Sequence, residues 1–261
     1  MCGNFAPFLA KPRSALQASR LRSFDDYETI THKRSKMVYN AFMVKARLNK
    51  LTVEEFANTL THGFGLLLSV VGFVFLVVMA SVKGDFWYIA SSVLYGLSLV
   101  VLYAASTVYH SETSPEAKRI LQIVDHCCIY ILIAGSYTPF TLIILREGIG
   151  QNLFYFVWAF AFIGIILKLI FGKKYPVISV LSYLVMGWIG IIVVQPLFAA
   201  LGFAPIALVI AGGIAYSVGV IFFAWESMKH HHAIWHVFVL MGSIFHFLAI
   251  AIYVMPYSLK A

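Results

Sequence analysis

From residue 175 to residue 225 the chain runs for fifty-one positions without one Asp, Glu, Lys or Arg. A helix crosses the roughly 30 Å of hydrocarbon in a bilayer with about 20 apolar residues, because every backbone polar group must find its partner within the same helix there. The stretch is therefore too long for one crossing. Gly202-Phe203-Ala204-Pro205 supplies turn chemistry near its middle, which divides it into helices over 176–198 and 204–225. The same criterion predicts five more spans, at 60–82, 86–109, 124–145, 152–171 and 233–255. The expected fold is all-α, a seven-transmembrane helix bundle. A composition of 61% hydrophobic and 11% charged residues agrees, and excludes an ordinary water-soluble domain.

Basic residues set the expected orientation. An inward N-terminus places sixteen of the 19 Lys and Arg residues on inner segments and leaves Lys83, Arg146 and Lys260 outside. The N-terminus is then cytoplasmic and the C-terminus outside. Ten of those basic residues precede the first span, against Asp25, Asp26 and Glu28. The expected organisation is thus a basic, largely disordered tail over 1–50, with little order before about residue 45, and a membrane domain over 51–258. Lipid headgroups suit such a tail better than nucleic acid does, and a plain determinant of topology suits it better still. Residues 40–55, which mix apolar and basic positions, suggest an interfacial helix leading into the first span. The tail shows no signal-peptide core, and Met37 and Met43 leave a later start open. Cys2, Cys127 and Cys128 form no disulfide framework and read as packing residues.

Ionisable groups at membrane depth are costly, so each one is a functional candidate. In the expected topology the second span ends at "ASTVYHSE", the third begins at "IVDHCC" and the seventh begins at "HHHAIWH", all on the inner side. His232 and His236, four residues apart, lie about 40° apart around a helix axis and point the same way. A third imidazole from His110 completes a three-histidine set with one open position, the arrangement of a catalytic zinc. Ser106 lies one turn before His110, and Asp125 opens the third span. Zinc lowers the pKa of a bound water to about 7, and a carboxylate at Asp125 is placed to hold that water or to orient a ligand. The bland alternative is a set of histidines that cap helix ends or meet water.

Other polar positions divide between site and packing. His230 and His231 are loop residues or substitute ligands in another register. His246 faces elsewhere on its helix and suits an interhelical hydrogen bond, and His126 points off the Asp125 face as a structural residue. Glu54, Asn58, Thr61 and His62 share one face of the first span and predict a polar seam looking into the bundle. Pro139 and Gln195-Pro196 predict kinks, and "GGIAYSVG" at 212–219 predicts close helix contact.

The stretches "EEFANTLTHGFG", "YAASTVYHSE", "DHCCIYILIAGSYTPF", "GGIAYSVGVIFF" and "HAIWHVFVLMGSIFHFLAI" together resemble the haemolysin III family of bacterial membrane proteins over about residues 52–257. That family is grouped with the progestin and adiponectin receptors and, more distantly, the alkaline ceramidases. The resemblance implies Zn2+ held by His110, His232 and His236, with Ser106 and Asp125 as the other site residues, in an inner-leaflet site that hydrolyses lipid amides in the receptor and ceramidase relatives. It also implies a bacterial cytoplasmic membrane. The basic tail and the extra His230 and His231 depart from the family pattern.

Three functions follow as expectations. The leading one is a zinc-dependent integral membrane hydrolase acting on a lipid amide or ester, with Asp125 steering the water and Ser106 facing the developing oxyanion. Its partners are membrane lipids, one of them the substrate. A pore-forming or channel-like protein would place polar residues along the full depth of its spans, whereas the sequence gathers them toward one end. A receptor-like sensor with structural zinc is the third.

Overall fold

The computed structural model describes the backbone of residues 13–258 and the side chains of 32–40 and 53–258. It divides into two compact units, the division falling after Thr52. Helix α1 (Arg13–Lys83) contributes to both. Its backbone is helical from Arg13 onward; residues 1–12, with Cys2, lie outside the described residues. The physical reason is local. Between Arg13 and His62 the chain has no glycine or proline and intersperses Ala, Leu, Lys and Arg, a composition with high helix propensity. The side chains of 32–40 are all exposed.

Among the described residues every element is helical. The seven helices long and apolar enough to cross a membrane are Val53–Lys83, Phe86–Ser111, Pro115–Ile144, Gly150–Phe171, Pro176–Leu201, Phe203–Ala224 and His231–Val254. They comprise the end of α1, then α2 (Phe86–Ser111), α3 (Pro115–Pro139), α4 (Gly150–Phe171), α5 (Pro176–Trp188) with α6 (Val194–Leu201), α7 (Phe203–Ala224) and α8 (His231–Ala249). Helix α3 starts at Pro115, well before the apolar run at 124. Ser114 caps it, accepting from the Ala117 N–H, and Pro115 fills the first turn, where its missing N–H costs nothing. The division of the long uncharged stretch falls at Gly202, whose φ of +80° suits a residue without Cβ and lets the chain turn between α6 and α7.

Both internal prolines leave their mark. Pro139 cannot donate to the helix, and the chain widens into a π turn over Phe140–Ile144, where the Leu145 N–H reaches the Phe140 carbonyl at 3.0 Å. The Thr138 and Thr141 hydroxyls return to the carbonyls of Ala134 and Tyr137, each at 3.0 Å. Upstream of Pro196 the fifth span tightens into a 3₁₀ segment, Ile189–Val193. The break is repaired across the bundle. The Tyr137 hydroxyl accepts from the Gly190 N–H at 2.8 Å and lies 2.9 and 2.8 Å from the carbonyls of Met186 and Gly187.

Helix α7 packs closely on α8, as its small residues predict: a Cβ at Gly219 would meet Trp235 and Phe238. His246 of α8 sits over Gly212, and its Nε2 lies 3.1 Å from the Val209 carbonyl. At the far end Lys83 reaches the carbonyls of Pro256 and Tyr257 at 3.2 and 3.1 Å, and the Tyr88 hydroxyl donates to Tyr257, which ties the last span to the first two. Cys127 and Cys128 are buried free thiols.

Because Tyr137 is the repair for a broken span, Tyr137→Phe should destabilise the bundle by about 1–2 kcal/mol, read as a lowered Tm in detergent. An unchanged Tm would show that the break needs no repair.

Candidate metal centre

The last turn of α2 and the first two turns of α8 meet at one end of the bundle. His230, in the left-handed region at φ +56°, turns the chain so that α8 starts at His231. The His231 Nδ1 lies 3.1 Å from the Phe222 carbonyl, which fastens α8 to the end of α7. His232 and His236 then share one face, and the register left open by four clustered histidines is fixed. Their rings and that of His110 form a nearly equilateral triangle, with centroids 4.7, 4.9 and 5.0 Å apart. One ligand nitrogen from each lies within 4.8 Å of the other two.

Hydrogen bonding decides which nitrogen each ring offers. The His110 Nδ1 is 2.6 Å from a carboxylate oxygen of Glu55, which can only accept, so the proton sits on Nδ1. Glu55 is held in turn by Lys118 at 3.0 Å. The Thr61 hydroxyl lies 3.0 and 2.9 Å from the Ala57 and Asn58 carbonyls, and with its proton directed there its lone pair faces the His236 Nδ1 at 3.2 Å. His236 therefore carries its proton on Nδ1 as well. In both rings the lone pair is left on Nε2, and the Nε2 atoms of His110, His232 and His236 are all buried without a hydrogen-bond partner. Three clustered imidazoles, each with an unpartnered Nε2, suit a divalent ion. Tetrahedral coordination at 2.0–2.1 Å sets nitrogens about 3.4 Å apart, so small ring movements close the set. A carboxylate behind a ligand histidine is the usual way its tautomer is fixed.

Ser106 and Asp125 are buried, at 0% and 4% exposure, and face each other from α2 and α3, although the Ser106 hydroxyl makes no hydrogen bond of ordinary geometry. Ser106 lies one helical turn from His110. Asp125 opens a cavity of about 480 Å³ whose walls run from His62, Asp125 and Trp235 at the histidine end to Leu145, Leu153 and Ile206 at the other. From Asp125 to Leu145 is about 30 Å along a helix, so the cavity follows nearly the depth of the bundle. Its lining is overwhelmingly apolar.

Two participants went unread in the sequence. Glu55, one residue past the acidic residue singled out on the first span, is the one that reaches His110. His62 is more than part of a seam: its ring stacks on His236 with centroids 3.5 Å apart and 16° between planes, and both its nitrogens are buried without partners. The spacing Glu55, Asn58, His62 follows three and seven residues of one helix face as well as the set beginning at Glu54 does. His126, expected to point away from the Asp125 side, instead lines the same cavity.

Glu55→Gln keeps the shape of the side chain and removes its charge. Divalent-ion affinity should fall about 10–100-fold, measured by chelator competition on purified protein; unchanged affinity would dissociate Glu55 from the centre.

Residues 51–247 match the family model described as "Haemolysin-III related". The "Hemolysin-3 homolog" of Bacillus subtilis (strain 168) is 48% identical over 200 residues, covering 77% of this chain and 94% of that protein. "Hemolysin-3" of Bacillus cereus is 42% identical over 210 residues, 80% of this chain and 96% of its own length. The human "Monocyte to macrophage differentiation factor" is 31% identical over 205 residues, 76% and 83% of the two chains. With seven spans, a three-imidazole cluster compatible with a metal, and a match that runs through all of the site residues, this integral multi-pass membrane protein belongs to the haemolysin III family.

Proposed function

We propose that the chain is a zinc-dependent membrane hydrolase that cleaves an amide or ester of a lipid. The observation that carries the reading is the convergence of three unpartnered Nε2 atoms beside an apolar cavity with a carboxylate at its polar end. Three neutral imidazoles favour zinc among the available divalent ions. When bound, zinc supplies Lewis acidity and a water that ionises near neutral pH. Asp125, at the polar end of the cavity, would take a proton from the attacking water and return it to the amine or alkoxide as the C–N or C–O bond breaks. The Ser106 hydroxyl, which faces Asp125, donates to the carbonyl oxygen as charge develops on it. The cavity holds the hydrocarbon chain and keeps bulk water out. Lys118, Arg119, Lys173, Lys174 and Lys229 flank the histidine end, so by the positive-inside rule that end faces the cytoplasm, and the membrane is the bacterial cytoplasmic one.

One observation favours a second reading, a polar conduit, which is also what the relatives' name "Hemolysin-3" suggests. Ser91, Ser92, Tyr95, Ser98, Tyr103 and Ser106 place hydroxyls along the buried face of α2 over most of its length. The Tyr103 hydroxyl meets Ser243 at 2.8 Å and Tyr216 meets the same serine at 2.9 Å, while the Tyr95 hydroxyl and the Ser91 Oγ are buried without partners. Ion or dye flux through proteoliposomes separates this reading from hydrolysis.

Purified protein should carry about one zinc per chain and release fatty acid from a ceramide-like or phospholipid substrate. Asp125→Asn should keep the metal and lose about 10²–10⁴-fold in rate, whereas His110→Ala should lose both. Full turnover by Asp125→Asn, or flux without turnover in the parent protein, overturns the hydrolase.

A further inference from the structure

Lys168 lies in the last turn of α4 and is only 4% exposed, on a helix otherwise composed of apolar and uncharged residues. A lysine near a helix end ordinarily extends its ammonium to the headgroups. This one does not reach out. Its single hydrogen-bond partner is the Ser179 hydroxyl at 3.4 Å, at the long limit of such a bond. The core's ion pairs among the described residues join Glu55 to His110 and Lys118, and Asp85 to Arg146; Lys168 takes part in none of them. The titratable groups near it are His126, Cys127 and Lys173, none of which is an anion at neutral pH. A buried ammonium without a counter-charge is strongly unfavourable. Its position suggests where the anion comes from.

Lys168 and Ser179 line two cavities at once. One is the internal cavity that begins at Asp125. The other, about 460 Å³, lies between α4 and α5 and is walled by Ile163, Leu167, Phe171 and Ile178. Those four side chains are 45–62% exposed on the bundle's outer surface. The lysine thus stands between a bilayer-facing groove and the interior.

We infer that Lys168 and Ser179 form a head-group subsite for an anionic amphiphile, a lipid phosphate or carboxylate, whose hydrocarbon chain lies in the internal cavity. The ammonium and the serine hydroxyl bind the anion, and the cavity takes a chain of up to about 30 Å. The inference deepens the proposed function and rests on it only in making this amphiphile a substrate or product: hydrolysis of a lipid amide or ester releases a fatty carboxylate, the ligand the subsite fits.

The test is equilibrium binding to full-length protein in nanodiscs of phosphatidylcholine, by displacement of a fluorescent fatty acid, with and without a chelator. The probes are hexadecanoate, a lysophosphatidate, hexadecanol and inorganic phosphate. Both anionic lipids should bind at least about tenfold tighter than hexadecanol, with or without metal, and inorganic phosphate should not compete at matching concentrations. Lys168→Met should abolish the preference and Lys168→Arg should keep it; if Lys168→Met fails to fold, Lys168→Gln must show the same loss. Equal affinity for acid and alcohol, an undiminished preference in both neutral variants, or phosphate competing as well as the lipids overturns the subsite. Fatty-acid release with no role for Lys168 in binding leaves the hydrolase standing alone, and an anion preference without release leaves the subsite standing alone.

Discussion

Three buried imidazoles, each with an unpartnered Nε2 and a ligand nitrogen within 4.8 Å of the others, set the demands that the surrounding residues meet. An unpaired buried acceptor costs about 1–3 kcal/mol, and here the Nε2 atoms of His110, His232 and His236 share that condition. Their direction is enforced by the first span: Glu55 fixes the proton on His110 and Thr61 fixes it on His236. Helix α1 supplies no ligand to the triad, yet it decides what the ligands on α2 and α8 present. The stacking of His62 on His236 adds a second restraint from the same helix. A bundle held this way at one end is closed at the other by Lys83 and Tyr88 gripping the chain after α8.

Helices α1, α2 and α8 carry the imidazole cluster and the residues that hold it, and most of the cavity wall comes from α3 to α7. The fifth span is interrupted by a 3₁₀ segment, with Gly187 and Gly190 along the cavity wall. Glycine and a broken helix leave volume where side chains would otherwise fill it, and Tyr137 supplies hydrogen bonds that the break removes. The proline chemistry that disrupts two helices therefore also makes room for the cavity. His62, Leu102, Trp235 and Val239 join that wall to the helices that carry the imidazoles.

Much of this arrangement is written in local pattern. Spans follow from runs of apolar residues, the turn at Gly202 from its neighbours, and the triad from two histidines four apart plus a third at a helix end on the same side. The missing parts depend on rotation and depth, which a run of letters specifies weakly. Glu54 and Glu55 are adjacent, and both begin a plausible polar face; only the packing of α1 against α2 shows which one meets His110. His126 next to Asp125 is a similar case, because cavity walls wrap more than one face of a helix. Lys168 entered the sequence reading as one more inner-side positive charge, and nothing in its neighbours Leu167 and Leu169 says that its ammonium stays indoors.

Depth connects the centre with the proposed lipid chemistry. His110 is in the last turn of α2, and His232 and His236 are in the first two turns of α8, within about 8 Å of the helix ends. Lys168 is likewise about one turn from the end of α4. In a bilayer the ester and amide carbonyls of lipids lie just inside the headgroup layer, at the boundary of the hydrocarbon. On the proposed reading, a reacting carbonyl at the histidine level would set the head near the level of Lys168 and the chain along the cavity past Leu132 and Val193 toward Leu145. The lipid need not leave its leaflet for those three parts to engage together. A centre at mid-span would instead have to draw the polar head through hydrocarbon, at a desolvation cost that the apolar lining of this cavity has no means to offset.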